Sequence, residues 1–277
     1  MALTGRGHKV LLSFVITAAL ALVLSASLIF QDFSARAAGR PHTVRRKLLN
    51  SYSDQQILTG IGIQSVGLAQ ANVLVPYHFF LVWMLSLLSM AVHNATLLAL
   101  VHDFRRDWVL RWLRQFLMFV NLVLSCVYGV YVLQGLSKGL PPTLPVACVW
   151  TAPGNGPEAN VGLMYVGTAA VIVGNCVVFG LATWYLHSRG QRFYKLIQLV
   201  GILLMAAIAI GAISRVVLLS QAFGRPSVPL RDDGERAWSF GQLLSLLFLL
   251  LPLVSIVEIY RGAYEPAETH PLLGEPG

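Results

Sequence analysis

The sequence predicts an all-α fold, a polytopic bundle of seven transmembrane helices. Three observations predict it. Only 12% of the 277 residues are charged and 56% are hydrophobic, with a mean hydropathy of +0.67; a soluble domain carries about 25% charged residues. Seven runs are candidate crossings of a hydrocarbon core of about 30 Å, which takes about 20 helical residues, the second of them the weakest. The net charge of +8 comes from Lys and Arg set mostly in short connections between those runs. There they read as topology signals, and nucleic acid is not an expected partner.

The spans fall near 10–30, 55–72, 77–100, 113–135, 161–187, 196–219 and 238–260. Together they make a transmembrane domain over 1–262, followed by a short cytosolic tail, 263–277, with no expected structure. The first run follows the basic segment MALTGRGHK, and Ala35-Arg36-Ala37 resembles a signal-peptidase site. Its 21 apolar residues exceed the usual signal-peptide core of about 7–15, so a retained signal-anchor is expected. The alternative is six helices after cleavage.

Counting Lys and Arg over alternating connections gives thirteen on one side and six on the other, with Arg215 inside a span. The positive-inside rule then puts the N-terminus outside and the C-terminus in the cytosol. Cleavage would instead leave nine basic residues of 31–54 and 101–114 in the lumen. The cluster Arg36–Lys47, five bases without an acid, is a stop-transfer signal and a contact for anionic lipid headgroups, worth about 1 kcal/mol per charge.

The second span, QQILTGIGIQSVGLAQAN, holds three Gly and four Gln. It makes sense only packed among other helices. At about 100° per residue, Gln56, Thr59, Gly60, Ile63, Gly67 and Gln70 gather on one side. The third span carries His78, Ser86, Ser89, His93 and Thr96 within an arc of about 80° on the same measure, with Asn94 outside it. Polar side chains in hydrocarbon need partners, so this stripe should face the bundle interior. Only a few residues around Val73–Pro76 join the two spans, which allows an antiparallel hairpin with facing polar stripes. Interhelical hydrogen bonding explains such stripes; a ligand or proton site made of Gln56, Thr59, His78, Ser86, Ser89, His93 and Thr96 is the functional alternative, because His changes charge near neutral pH. His78 and His93 lie about 22 Å apart along one helix, too far to share a metal ion. No metal or cofactor is expected.

The remaining elements carry less. Asn175 in the fifth span reads as interhelical glue, and Arg215 near the end of the sixth as a snorkelling cation. Pro252 should kink the seventh span, where Glu258 pairs with Arg261 at i, i+3. The loop RDDGER, 231–236, reads as solvated rather than as a magnesium site. Three cysteines, Cys126, Cys148 and Cys176, lack metal-ligand spacing and read as inert thiols. In the tail, Glu268 with Leu272 and Leu273 fits an acidic dileucine signal for cytosolic sorting adaptors. That allows the plasma membrane, or an endomembrane such as the vacuole or endosome, as the location.

The stretch Tyr52-Ser53-Asp54-Gln55-Gln56-Ile57-Leu58-Thr59-Gly60, then Tyr77-His78, then His93-Asn94-Ala95-Thr96 and Arg105-Arg106, resembles a family of filamentous-fungal integral membrane proteins. Its members share SDQQ-x-x-TG at the start of one helix and YH…H-x-x-T along the next. Some carry the label elsinochrome-biosynthesis-associated. The likeness is best over residues 52–114. It implies a multi-pass fold, a fungal origin and a link to secondary metabolism, and singles out Asp54, Gln55, Gln56, Gly60, His78, His93 and Thr96. It implies no reaction.

Three functions fit these features. The first is binding or sensing of a small lipophilic molecule in a pocket between helices two and three. A heptahelical receptor would share that topology, but HDFRRDW replaces Asp-Arg-Tyr after the third span, and no Asn-Pro-x-x-Tyr occurs in the seventh. The second is a membrane-embedded cyclase or isomerase using Asp54 or Glu258 as its general acid. The third is a small-molecule transporter, although the paired broken helices of that class are not visible.

Overall fold

The structure is a computed structural model of the chain; it describes residues 8–33, 43–101, 108–139, 141, 143–151, 161–187 and 193–219. Six α-helices occur among them: α1 His8–Phe33, α2 Thr43–Ala69, α3 Pro76–Ala99, α4 Trp108–Lys138, α5 Val161–His187 and α6 Tyr194–Leu219. A 3-10 helix, Val146–Trp150, lies between α4 and α5, and no strand occurs among the described residues. The expected seventh span, Glu258, the RDDGER loop and the tail with Glu268, Leu272 and Leu273 lie outside them, as do Arg36 and Arg40.

Five helices are long and apolar enough to cross a membrane: Leu11–Phe33, Pro76–Ala99, Trp112–Lys138, Met164–His187 and Tyr194–Leu218. They fit a multi-pass integral membrane protein in contact with the lipid bilayer. The helix outside this set is α2. It begins at Thr43, well before the expected residue 55, so it takes in Arg45, Arg46, Lys47 and Asp54. Nothing between Thr43 and Gln55 breaks a helix: the stretch has no Gly or Pro. It ends at Ala69 rather than 72, because Val73 N–H and Leu74 N–H both turn back to Gln70 O. α3 then starts on Pro76, whose fixed φ suits a first turn and whose missing N–H is not needed there.

Successive helices run antiparallel. Ser53 meets His93, Gln56 meets Ser89, and Gly67 lies by Val82, so α2 and α3 ascend in opposite directions. Asn121 reaches Ser89 and Ser125 meets Ser86, which sets α4 against α3 and parallel to α2. Trp112 with His187 and Phe119 with Phe179 do the same for α4 and α5. Stacked Tyr185 and Tyr194 join the end of α5 to the start of α6.

The centre of the bundle is α3, which touches all five other helices. Every residue from Trp83 to Ala99 is buried. By contrast α5 leaves Val166, Val173, Val177 and Trp184 exposed, as a helix bordering lipid would. The 3-10 helix is strapped to the α2–α3 turn by two backbone bonds, Val146 N–H to Leu74 O (2.9 Å) and Ala147 N–H to Ala71 O (3.1 Å).

Candidate functional site, a polar core between α2, α3 and α4

The polar stripe of α3 starts the site. Ser89 Oγ donates to Gln56 O on α2 at 2.9 Å and lies 2.9 Å from His93 Nε2, one turn on. A serine has one proton to give. With that proton on Gln56 O, His93 Nε2–H is the donor to Ser89, and Nδ1 accepts from Ser53 Oγ at 3.5 Å. Donor and acceptor needs therefore assign His93 as the neutral, Nε2-protonated tautomer. Its ring is fully buried, where a charge without a counter-ion would be costly.

From Ser89 the network spreads to two neighbours. Asn121 Nδ2 on α4 approaches Ser89 Oγ at 3.4 Å and Met90 Sδ at 3.2 Å. Asn121 Oδ1 accepts from Gln64 Nε2, which also donates to Gly60 O at 3.0 Å. Tyr128 hydroxyl donates to Gln64 O at 2.9 Å. On the α1 side, Gln56 Nε2 donates to Thr17 Oγ1 at 2.7 Å and to Phe14 O at 3.3 Å. The result is a continuous set of hydrogen bonds linking four helices at the depth of the apolar spans.

Close approach of backbones makes this possible. A methyl at Gly60 would sit 2.6 Å from Ser89 Oγ and 3.2 Å from Asn121 Oδ1. At Gly67 it would strike the Tyr128 hydroxyl. These two glycines let α2 lie in the groove between α3 and α4, as small residues do at membrane helix contacts.

At one edge of the core sits an ion pair. Arg114 Nη2 lies 2.7 Å from Asp54 Oδ1, and the guanidinium also donates to Asn50 Oδ1 (2.7 Å) and Asn50 O (3.1 Å). The Arg114 side chain is 6% exposed and that of Asp54 58%. The arginine is thus held inside, while the carboxylate keeps much of its contact with the surroundings.

Of the residues singled out in the sequence, Gln56, Gly60, Ser89 and His93 come together. Ser86 is also buried but turns to α4, where it donates to Ser125 Oγ at 2.9 Å. Thr59 and Thr96 bond their own helix backbone, at Gln55 O and Val92 O, both at 2.8 Å. His78 lies away from this cluster, half-buried, with its ring edge-on to Tyr77 at 4.9 Å. Gln55, next to Asp54 in sequence, is half-buried. Asn175 bonds Val171 O of its own helix rather than a neighbour (3.1 Å). Arg215 is exposed, as a snorkelling side chain would be.

Sequence reasoning missed Ser53, Gln64, Asn121, Ser125 and Arg114. The spacing of Asn121 and Ser125, i and i+4 on an otherwise apolar run, was the available signal. Among the described residues no group of three His, Cys, Asp or Glu could hold a metal ion.

Three buried amide oxygens in and beside this core, Gln56 Oε1, Gln64 Oε1 and Asn94 Oδ1, have no donor among the described residues. What the arrangement holds is therefore a neutral histidine, a short hydrogen-bond chain and these buried acceptors. Comparison with family models, with curated proteins and with solved structures finds no match to this chain.

Proposed function

We propose that the chain is a seven-helix membrane protein which binds or senses a small lipophilic molecule at the polar core between α2, α3 and α4. In this reading α2 and the span at 238–260 complete seven crossings, with the N-terminus outside and the C-terminus in the cytosol. The motifs around Asp54, Gln56, Gly60, His78, His93 and Thr96 join it to the fungal family they resemble, and so to secondary metabolism.

One observation carries the binding reading: the oxygens Gln56 Oε1 and Gln64 Oε1 are buried in the network around Ser89 and have no donor among the described residues. A buried acceptor without a donor costs about 1–3 kcal/mol. A hydroxyl on an apolar skeleton would supply the donor while its carbon frame replaced side-chain contacts. The cyclase or isomerase reading is weaker at this place. Asp54, at the edge of the core, is engaged by Arg114.

Native mass spectrometry of the protein purified from lipid extract tests the proposal. The wild type should retain a small organic molecule, and Gln56→Leu and His93→Leu should lose it while keeping a cooperative melt. Retention of the same mass by both variants overturns the reading.

A further inference from the structure

Away from the polar core, α4 and α5 bring two thiols into contact. Cys126 Sγ and Cys176 Sγ lie 3.7 Å apart, from residues 50 positions apart in sequence. The approach is set by neighbouring packing. Gly129, one turn along α4, has no room for a methyl because Ile172 of α5 fills the space. On the other side, the Phe119 and Phe179 rings lie 6.5 Å apart. Both cysteines are free; Cys126 is half-buried and Cys176 exposed. Each lies near the middle of its apolar span, Trp112–Lys138 or Met164–His187. Cys148 is elsewhere, in the 3-10 helix strapped to the α2–α3 turn.

We propose that Cys126 and Cys176 are an oxidisable pair within the apolar layer, closed to an α4–α5 disulfide by a lipid-soluble oxidant of the quinone class. A disulfide needs the sulfurs at about 2.05 Å, so they must close by about 1.7 Å, which side-chain rotation with a small helix adjustment supplies. The location chooses the oxidant. Water-soluble disulfides such as oxidised glutathione do not partition into hydrocarbon, whereas quinones do. The reaction balances: two S–H bonds break, one S–S bond forms, and two electrons with two protons reduce the quinone to a hydroquinone. The proposal does not depend on the ligand reading above.

The full-length protein, reconstituted in lipid vesicles, is treated with decylubiquinone, whose fully substituted ring takes no thiol by addition at an open position. After denaturation, free thiols are alkylated and counted, and the peptides are mapped. The chain holds three cysteines. Two of the three thiols should be lost, recovered as a Cys126–Cys176 peptide, and restored by reductant. Cys126→Ser and Cys176→Ser should each keep both remaining thiols, and Cys148→Ser should still close the pair. Three free thiols after both quinone and copper-phenanthroline treatment overturn the geometry. Closure by copper-phenanthroline alone, faster closure by oxidised glutathione than by quinone, or a bridge involving Cys148 overturns the proposal as well.

Discussion

Ser89 is a junction of the polar core. Its oxygen serves Gln56 O, His93 Nε2 and Asn121 Nδ2 at once. Ser89→Ala leaves the histidine and the asparagine each short of an acceptor. Buried groups left that way cost about 1–3 kcal/mol each, but measured polar contacts between membrane helices average only about 0.6 kcal/mol. The variant should therefore lose about 1–2 kcal/mol, read as a lower midpoint of thermal unfolding in detergent; an unchanged midpoint would show that the network contributes nothing. The stripe of Ser86, Ser89 and His93 was legible in the sequence because their spacing is helical and their surroundings are apolar. Asn94 was not, because the helical wheel assumes one polar face. α3 is enclosed on all sides, so a side chain off the stripe still finds a partner, here Met205 Sδ at 3.5 Å. Arg114 was read as a topology charge. Composition places an arginine at a helix end but does not show that it turns inward to Asn50 and Asp54.

The three glycines of α2 look equivalent in the sequence, yet they differ in place. Gly60 lies against Ser89 and Asn121, and Gly67 against Tyr128, while nothing comes within 4 Å of a methyl at Gly62. Gly60→Ala should cost about 1–3 kcal/mol through forced displacement of Ser89. Gly62→Ala should be neutral or gain up to about 1 kcal/mol from helix propensity. Chemical unfolding of the two variants side by side checks this, and equal effects would contradict the close-approach explanation. Helix positions were legible for α1, α3, α4, α5 and α6, where apolar length alone sets the ends to within a few residues. For α2 the start was not legible, because hydropathy marks where a helix can meet lipid and not where it begins to coil. Its basic first turns and Asp54 are helical without being apolar.

The alternation of six helices puts the described ends Phe33 and Thr43, Val101 and Trp108, and His187 and Phe193 at one end of the bundle. Lys195 over the Phe33 ring, at 5.7 Å, ties two of these connections together. The segments 34–42, 102–107 and 188–192 between them are the richest in Lys and Arg. Compartment-specific reporters inserted in those three segments should all report the cytosol, and reporters in 139–144 or 154–158 the opposite side; a mixed pattern would refute the proposed orientation. That these basic segments share one end of the bundle was legible from charge counting; the compartment they face is the part the reporters test. The enclosure of α3 was not, since its sequence is apolar enough to border lipid yet it meets almost none. Its setting also constrains biogenesis. α2 is too polar to partition into acyl chains alone, and its partners Asn121, Arg114 and Tyr128 are synthesised more than forty residues later. If α2 is one of the crossings, as proposed, the emerging chain must keep it sheltered at the insertion machinery until α4 arrives, so that these helices leave for the bilayer as a group and not one by one.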